Sequence, residues 1–249
     1  MPETHFDEWV ARRYDTLWPE VFEPALVEAT VDRLAELAGG GPALELGIGT
    51  GRIALPLSGR GLRVAGIELS AAMVEQLRAH AGASDISVRI GDFAVTQMPE
   101  RFTLVYLLRN TITNLTTLDE QVACFHNAAA HLQPGGYFLV ENYIPALQRL
   151  PPGETARVVT ATPTHLGVEE YDLAAQIAVS RHHWLIDGEP WTLASPHRYV
   201  WPSELDLMAR LAGMVLRERW SDWQRGPFTS ESAAHISVWQ VATEENATR

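Results

Sequence analysis

The sequence predicts an α/β fold, in which helices cover both faces of a mostly parallel sheet and an antiparallel β region is inserted after the fifth strand. Up to about residue 142, short apolar runs alternate with amphipathic stretches, which is the pattern of repeated βαβ units. Residues 151–201 are instead rich in Thr, Val, His, Tyr and Trp and contain turn dipeptides. This change of composition indicates antiparallel hairpins inserted into, or appended to, the first fold.

The elements before the insertion each have a local signal. An interrupted amphipathic helix covers about 7–37, because two prolines break it near its middle. Ser70 caps a helix that reaches about residue 80, and a capping box at 117–120 opens a helix that the Pro134-Gly135-Gly136 turn ends. Apolar runs predict the five strands, at 42–46, 62–67, 86–90, 102–108 and 137–141.

A hairpin inside the insertion turns at Asp187-Gly188, a strong signal for a two-residue turn. Such a turn pairs Trp184 with Trp191, with His182 on their face and His183 on the opposite face, because side chains alternate along a strand. The two tryptophans either hold the sheet together or form an aromatic wall over a binding site. Beyond the insertion the patterns predict a helix at 202–211 and a final strand pair at 216–223 and 235–241.

Charge and cysteine content narrow the function classes. The formal net charge of −12 gives no diffuse basic footprint for nucleic acid or an anionic membrane. The single cysteine, Cys124, excludes an intramolecular disulfide and fits a reducing cytoplasm. No apolar stretch approaches the ~18 residues of a membrane span, and the acidic start lacks the features of a secretory signal. We therefore expect a cytoplasmic globular protein that binds neither nucleic acid nor membrane.

The sharpest motif is a glycine-rich turn, Glu45-Leu46-Gly47-Ile48-Gly49-Thr50-Gly51-Arg52, between a predicted strand and a helix. Glycines allow a tight turn with positive φ and leave no Cβ to keep a ligand off the main chain. Glu68 follows the second predicted strand, 21 residues after Gly47, where an acid can accept hydrogen bonds from ribose hydroxyls. The G-x-G-x-G spacing differs from the G-x-G-x-x-G of pyrophosphate binders. Together these features predict a nucleoside site at the carboxyl edge of the sheet.

With these motifs the chain resembles the class I S-adenosylmethionine-dependent methyltransferases. Residues 45–51 match the first motif of that superfamily, Glu68 matches its ribose-binding acid, and Gly91-Asp92-Phe93 matches the acid that contacts the adenine amino group. The turn at 132–137 matches the one before the fifth strand. Tyr14-Asp15 is placed like a pair that closes over the cofactor in many small-molecule members. The match spans about residues 14–143.

The resemblance implies a Rossmann-like seven-stranded sheet whose last strand is antiparallel, with S-adenosylmethionine as the cofactor. It divides the chain into an N-terminal helical lid at 1–38, a cofactor-binding core at 39–150, an insertion for the acceptor or a dimer contact at 151–201, and a closing helix and strand pair at 202–249. The cofactor residues that it implies are Tyr14, Glu45, Gly47, Gly49, Gly51, Arg52, Glu68, Leu69, Met73, Asp92, Phe93 and Arg109.

The expected reaction is methyl transfer to an oxygen, nitrogen or carbon of a small-molecule acceptor, by in-line displacement in a pocket that excludes water. Where the acceptor is a hydroxyl or an amine, a proton has to be removed, and histidine is the usual agent near neutral pH. Candidate catalytic residues are His183, His165 and Asn110. Candidate acceptor-binding residues are Tyr14, Asn114, Tyr143, Trp184, His197 and Arg198. No metal is expected, because adjacent His182 and His183 point to opposite faces of a strand.

Two other classes remain open. A nicotinamide oxidoreductase uses a similar sheet, although the glycine spacing and Pro134-Gly135-Gly136 argue against it. A cyclase, or another protein that retains the cofactor without methyl transfer, would carry the same motifs, because motifs that hold the cofactor do not show whether its methyl group leaves. The exposed hairpin edge of the insertion would also allow a homodimer to form.

Overall fold

In the computed structural model, residues 5–242 are described and fold around two β-sheets. The strands of the larger sheet come from both parts of the chain that flank the smaller sheet. In chain order the strands are β1 Ala43–Leu46, β2 Val64–Glu68, β3 Ser87–Ile90, β4 Phe102–Leu107, β5 Leu132–Tyr143, β6 Ala156–Ala161, β7 His165–Asp172, β8 Ile177–Ile186, β9 Glu189–Arg198, β10 Met214–Trp220 and β11 Ala234–Val241.

The larger sheet has seven strands in the order β3-β2-β1-β4-β5-β11-β10. Strands β1 to β5 are parallel to one another, whereas β11 is antiparallel to both β5 and β10. Strands β1 and β4 lie near the middle of the sheet and are almost entirely buried, because helices cover both faces. The predicted α/β class, the seven-stranded sheet and the antiparallel insertion after β5 are therefore confirmed.

Helices flank the larger sheet on both sides. One face packs against α6 and α7, through residues such as Phe125 and Leu205, and the other against α3, α4 and α5, through residues such as Leu34 and Leu57. Within residues 5–242, no helix is long and apolar enough to cross a membrane. The helices are α1 Glu8–Ala11, α2 Tyr14–Leu17, α3 Pro24–Ala38, α4 Ala54–Gly59, α5 Ala71–Arg78, α6 Leu118–His131 and α7 Pro202–Leu211.

Two local details differ from the sequence-based expectation. Helix α3 packs on the larger sheet and is therefore part of the core. Only residues 5–22 of the described N-terminal region lie outside the core, and we call them the N-terminal segment. The Pro134-Gly135-Gly136 turn lies inside β5, where the register with β4 shifts between Phe102–Leu132 and Leu104–Tyr137. Gly135 has a φ of 77°, which favours glycine, so the turn is a bulge within the strand.

The smaller sheet, in the order β6-β7-β8-β9, is antiparallel throughout, and we call it the insertion sheet. Its β8–β9 hairpin turns at Asp187 and Gly188, with φ of 54° and 84°. Positive φ at both central residues is the geometry of the type I′ turn that matches the twist of two strands. Trp184 pairs with Trp191 in the observed register, as the turn signal predicted.

Arg198 anchors the insertion sheet to the core. It lies at the end of β9 and is only 6% exposed. Its guanidinium donates to Gln121 Oε1 of α6 at 2.6 Å and to Glu204 Oε1 of α7 at 3.0 Å. The Gln121 amide donates back to the Arg198 carbonyl at 3.1 Å. A buried cation is stabilised when its donors are satisfied in this way, so this network fixes where the insertion sheet stands on the core.

Aromatic side chains join the N-terminal segment to the insertion sheet. Trp9 stacks on Trp191 with ring centroids 4.1 Å apart, and Trp18 meets Trp184 edge-on at 5.8 Å. Leu17 is buried in the same cluster. The contact joins parts of the chain more than 160 residues apart in the sequence. It covers one face of the insertion sheet with the N-terminal segment and leaves the other face outward.

We expect Trp184→Ala to lower the free energy of unfolding by about 3–5 kcal/mol, because truncation of a buried tryptophan leaves a cavity. Trp184 is 7% exposed. Trp191→Ala is the matched control, since it removes the same side chain from a site that is 39% exposed and should cost less. Urea denaturation measures both losses, and equal losses would contradict a central role for Trp184 in this contact.

Candidate active site

The glycine-rich turn follows β1 and is tied to β2. The Gly47 amide donates to the Ile67 carbonyl at 2.8 Å. Gly47 and Gly49 have φ of 72° and 56°, which side chains with a Cβ rarely adopt. A Cβ on Gly47 would lie 2.8 Å from Thr111 Cγ2, closer than real contacts allow. Both conformation and space therefore require glycine at Gly47, and its main chain stays open to a ligand.

Glu68 ends β2 directly beside this turn. Its carboxylate accepts hydrogen bonds from the Gly49 amide and the Ser70 amide, both at 2.9 Å. The side chain is only 7% exposed, and this burial raises its pKa. The two amides orient the carboxylate and leave further lone pairs on its oxygens, so Glu68 can accept hydrogen bonds from ligand hydroxyls.

A narrow cleft of about 110 Å³, which we call the inner cavity, lies over the turn and Glu68. Eight of the twelve residues predicted to bind the cofactor line it. Asp92 is among them, held by a hydrogen bond from the Ala94 amide at 2.8 Å. The lining residues are His5, Phe6, Tyr14, Gly47, Gly49, Glu68, Leu69, Met73, Asp92, Phe93, Thr111, Asn114 and Leu115.

The other four predicted cofactor residues lie around this cleft without lining it. Glu45 is buried beneath the turn and accepts a hydrogen bond from the Tyr106 hydroxyl at 3.1 Å. Gly51 packs on Leu77, which a Cβ on Gly51 would approach to 3.0 Å. Arg52 donates to the Val21 carbonyl of the N-terminal segment at 3.0 Å. Arg109 lines a larger neighbouring cavity, described below, and forms an ion pair with Glu20 at 3.5 Å.

Burial dominates the electrostatics of Glu45. It raises the pKa of this carboxyl to about 8, an effect that the nearby Arg52 guanidinium and the Tyr106 hydroxyl oppose. Desolvation disfavours the charged form of a carboxyl, so a new cation nearby would restore the ionised state. The base of the turn is therefore suited to a positively charged ligand.

A second cavity of about 580 Å³, which we call the outer cavity, lies between the insertion sheet, the N-terminal segment and the 3-10 turn Thr111–Asn114 after β4. Five residues line both cavities, which therefore meet at a common wall. They are His5, Phe6, Tyr14, Thr111 and Asn114.

Five of the residues predicted for the acceptor or for catalysis line the outer cavity: Tyr14, Asn110, Asn114, Tyr143 and His197. Asn110 follows Arg109 in a strained turn, with φ of 60° and 53°. Its amide oxygen accepts from the Tyr143 main-chain N–H at 2.8 Å, so this side chain holds the cavity wall in place. Tyr14 packs on Trp18 with ring centroids 5.1 Å apart.

The other four lie outside both cavities. His183 is exposed and points to the face of β8 opposite His182. Trp184 lies beneath Trp18 in the aromatic contact, and Arg198 lies in its buried network with Gln121 and Glu204. His165 lies beside the outer cavity, on the same face of the insertion sheet as His182, and its Nε2 is 2.9 Å from His182 Nδ1. Strand alternation therefore separates His183 from the cavity.

Sequence reasoning missed several outer-cavity residues, among them His182 and Ser195. Strand alternation gave a partial signal, because it places His182 on the face of Trp184, and Ser195 on the face of Trp191 and His197, but it does not show which face is covered. Burial lowers the pKa of both His182 and His197 to about 4. Both imidazoles are consequently neutral at pH 7. Within residues 5–242, no group of three His, Cys, Asp or Glu side chains could hold a metal ion.

Comparison with known proteins places these features in a family. Residues 43–136 match a family described as a methyltransferase domain. The structure is similar to that of the CcbJ methyltransferase from Streptomyces caelestis, with 36% identity, a TM-score of 0.80, and coverage of 88% of this chain and 91% of that chain. No curated protein sequence matches.

Two further solved structures share the fold at low identity. An S-adenosylmethionine-dependent methyltransferase from Clostridium acetobutylicum is 12% identical, with a TM-score of 0.76 and coverage of 94% of this chain and 98% of that chain. An amino pentose methyltransferase from Micromonospora echinaspora, solved with S-adenosylmethionine bound, is 19% identical, with a TM-score of 0.70 and coverage of 91% and 95%.

The family match begins at β1 and ends in the bulge of β5, so it includes the glycine-rich turn, Glu68 and Asp92. It sets aside the nicotinamide oxidoreductase alternative and confirms the predicted cofactor. With 36% identity over most of both chains, this protein belongs to the class I S-adenosylmethionine-dependent methyltransferases.

Proposed function

We propose that this protein transfers a methyl group from S-adenosylmethionine, held over the glycine-rich turn, to a small-molecule acceptor held in the outer cavity. The observation that carries this proposal is the common wall of the two cavities, since a donor and an acceptor bound on its two sides would be neighbours. Holding two reactants in this way replaces an encounter in solution with a step inside one complex.

The residues of the inner cavity suit the cofactor. Gly47 and Gly49 leave main chain open to it, Glu68 offers carboxylate oxygens for the ribose hydroxyls, and Asp92 and Phe93 can flank the adenine. When bound, S-adenosylmethionine supplies a methyl group on a positively charged sulfonium. The acidic side chains Glu45 and Glu68 favour a cation there.

The N-terminal segment excludes water from the transfer site. Tyr14 lines both cavities, and its ring packs on Phe6, Trp18 and Phe22 with centroids 5.1–6.0 Å apart. Ser70 of the core donates a hydrogen bond to the Phe6 carbonyl, which holds this segment down. Because the inner cavity is narrow, we expect residues 5–22 to move aside as the cofactor enters, and so to act as a lid.

A small molecule fits the outer cavity better than a polymer does. The cavity lies between two packed elements, and about 580 Å³ falls within the range of small-ligand pockets. One protein of the same fold is described as an amino pentose methyltransferase, which agrees with an acceptor of this size. Reaction then requires in-line approach of the acceptor atom with water excluded.

Two expectations from the sequence remain predictions. The outward face of the insertion sheet exposes Val158, Leu166 and Leu185, which agrees with a homodimer through this sheet. Sedimentation equilibrium would decide between monomer and dimer. A cytoplasmic location also remains a prediction.

The test of the proposed function is to incubate the protein with methyl-labelled S-adenosylmethionine and a panel of small amines, alcohols and carbon acids. We expect label in a small product together with an equal amount of S-adenosylhomocysteine. Cofactor binding by calorimetry without product from any class would instead favour a cyclase or a cofactor-retaining protein.

A cavity-filling variant locates the acceptor. Ser180 lines the outer cavity, so Ser180→Phe should block acceptor turnover at least tenfold while cofactor affinity stays within twofold. Val179→Phe is the matched control, because the neighbouring side chain points to the other face of β8. Equal kinetics for both variants would place the acceptor elsewhere.

Glu68→Ala should weaken S-adenosylmethionine binding by about 1–3 kcal/mol, through the loss of charge-assisted hydrogen bonds to the ribose. Titration calorimetry measures the change. Glu75→Ala removes an exposed acid from the neighbouring helix α5 and should leave the affinity unchanged. Wild-type affinity for the Glu68 variant would remove the ribose assignment.

Cofactor binding should release protons at neutral pH. The pKa of Glu45 is raised to about 8, so this carboxyl is mostly protonated at pH 7, and a cation beside it favours the ionised form. Affinity should therefore rise as pH rises from about 6 to 8. Calorimetry in phosphate and in Tris should give different enthalpies, and Glu45→Gln should reduce that difference. Equal enthalpies for the wild type would contradict the expectation.

A further inference from the structure

Two histidines of the insertion sheet form a pair at the wall of the outer cavity. His165 Nε2 lies 2.9 Å from His182 Nδ1, on the neighbouring strands β7 and β8. Both rings stack on the buried Trp184, His165 at 4.9 Å and 20° and His182 at 5.0 Å and 16°. The stacking and the hydrogen bond together hold the His182 ring in one orientation.

Gly167 makes room for this ring. It pairs with His182 across β7 and β8, and a Cβ at this position would lie 3.3 Å from His182 Nδ1 and 3.1 Å from Val159 Cγ2. On the other side, Trp18 of the N-terminal segment meets the His182 ring edge-on at 6.4 Å. His182 is thus enclosed on several sides and lines the outer cavity.

The hydrogen bond to His165 uses one of the two nitrogens of His182. The other nitrogen, Nε2, has no hydrogen-bond partner among residues 5–242. When His182 carries its proton on Nδ1 and donates to His165, Nε2 presents a lone pair. A neutral imidazole in this state can accept a hydrogen bond, and then a proton, from a molecule in the cavity.

His197, which lies on β9 and lines the same cavity, lacks this capacity. Its Nε2 contacts the Ser195 hydroxyl at 2.8 Å and its Nδ1 contacts the Thr113 hydroxyl at 3.4 Å. Thr113 in turn donates to the Asn110 carbonyl at 2.7 Å. Both nitrogens of His197 are therefore engaged by the protein, and its role is to hold β9 against the turn after β4.

The surroundings of His182 keep it neutral. Burial lowers its pKa to about 4, and His165 and His183 act in the same direction. The charged or titratable groups near the pair are His165 and His183 on the sheet, His197 on β9, and Glu20, which acts on His165. At pH 7 His182 is consequently neutral, and with its proton on Nδ1 the lone pair of Nε2 is available.

We propose that His182, oriented by His165, is the group that accepts the proton of the methyl acceptor, which therefore reacts through an N–H or O–H group. This inference rests on the proposed function of the outer cavity. As the acceptor nitrogen or oxygen forms its bond to the methyl carbon, the carbon–sulfur bond breaks and its electrons stay on sulfur. The acceptor's proton moves to His182 Nε2. The imidazolium is stabilised by its Nδ1–H hydrogen bond to His165, and the proton passes to solvent after product release.

The first test is kinetic and uses the acceptor found by labelling. His182→Gln should lower kcat at least about 100-fold, the usual contribution of a general base, while cofactor affinity stays within twofold. Its rate should recover as pH rises, because the acceptor then loses its proton without help. His183→Gln is the matched control, since this neighbour points outward, and should keep kcat within twofold.

His165→Leu tests orientation. This variant leaves His182 in place but removes its hydrogen-bond partner, so the His182 ring would lose its fixed orientation. We therefore expect kcat to fall by a larger factor than KM rises. His165→Gln should recover part of kcat, because a side-chain amide oxygen can accept the Nδ1–H hydrogen bond. Wild-type kcat in His182→Gln would overturn the proposal.

The second test needs no acceptor. At pH 7, NMR spectra of the wild-type protein labelled with ¹⁵N-histidine should contain the signals of a neutral ring with its proton on Nδ1 and an unprotonated Nε2. These signals should be absent from the spectra of His182→Gln. A signal with the proton on Nε2, or a charged ring, would overturn the proposal even if methyl transfer is active. If no acceptor class is methylated, the proposed function fails separately, and the spectra alone decide the state of His182.

Discussion

The hydrogen bond from the Gly49 amide to the Glu68 carboxylate joins the tips of two neighbouring parallel strands, and the shape of the inner cavity depends on it. The parallel neighbours β1 and β2 end at the same edge of the sheet, where the glycine-rich turn follows β1 and Glu68 ends β2. The acid orders the turn, and the turn orients the acid. Neither could fit a nucleoside alone, since the turn offers few acceptors and an isolated buried carboxylate is costly.

Burial favours the neutral form of four ionisable groups in and around the two cavities. The raised pKa values of Glu45 and Glu68 and the lowered pKa values of His182 and His197 have the same cause, which is the loss of water around each group. In the inner cavity this arrangement suits a ligand that brings positive charge. In the outer cavity it keeps the imidazoles of His182 and His197 neutral at pH 7. The loss of water thus shifts the pKa values of acids and of imidazoles in opposite directions on the two sides of the common wall.

The insertion sheet and the N-terminal segment form the outer cavity together. Each is small, and the tryptophan contacts Trp9–Trp191 and Trp18–Trp184 bury apolar surface that neither could bury by itself. The Arg198 network fixes the other end of the sheet on α6 and α7. Trp184 contacts Trp18 edge-on and stacks with both His165 and His182, so the same tryptophan links the stability of the contact to the placement of cavity residues. The outer cavity therefore depends on where the insertion sheet is placed on the core.

The sequence alone determined the order of the elements and the cofactor end of the site. The apolar runs, the glycine spacing and Glu68 lie within a short stretch, and parallel strands bring their carboxyl ends to one edge by geometry alone. The bulge in β5 was not predicted, because the sequence Pro134-Gly135-Gly136 is compatible both with a turn before a strand and with a bulge inside a strand.

Only the tertiary structure decided which histidines line the outer cavity. Strand alternation showed that His182 and His183 point to opposite faces but not which face is covered. Apolar residues occur on both faces of the insertion sheet, with Leu185 outward and Leu193 inward, so burial cannot be read from the pattern. Which face is covered depends on where the N-terminal segment packs. That contact joins residues far apart in the chain, so no local sequence pattern encodes it.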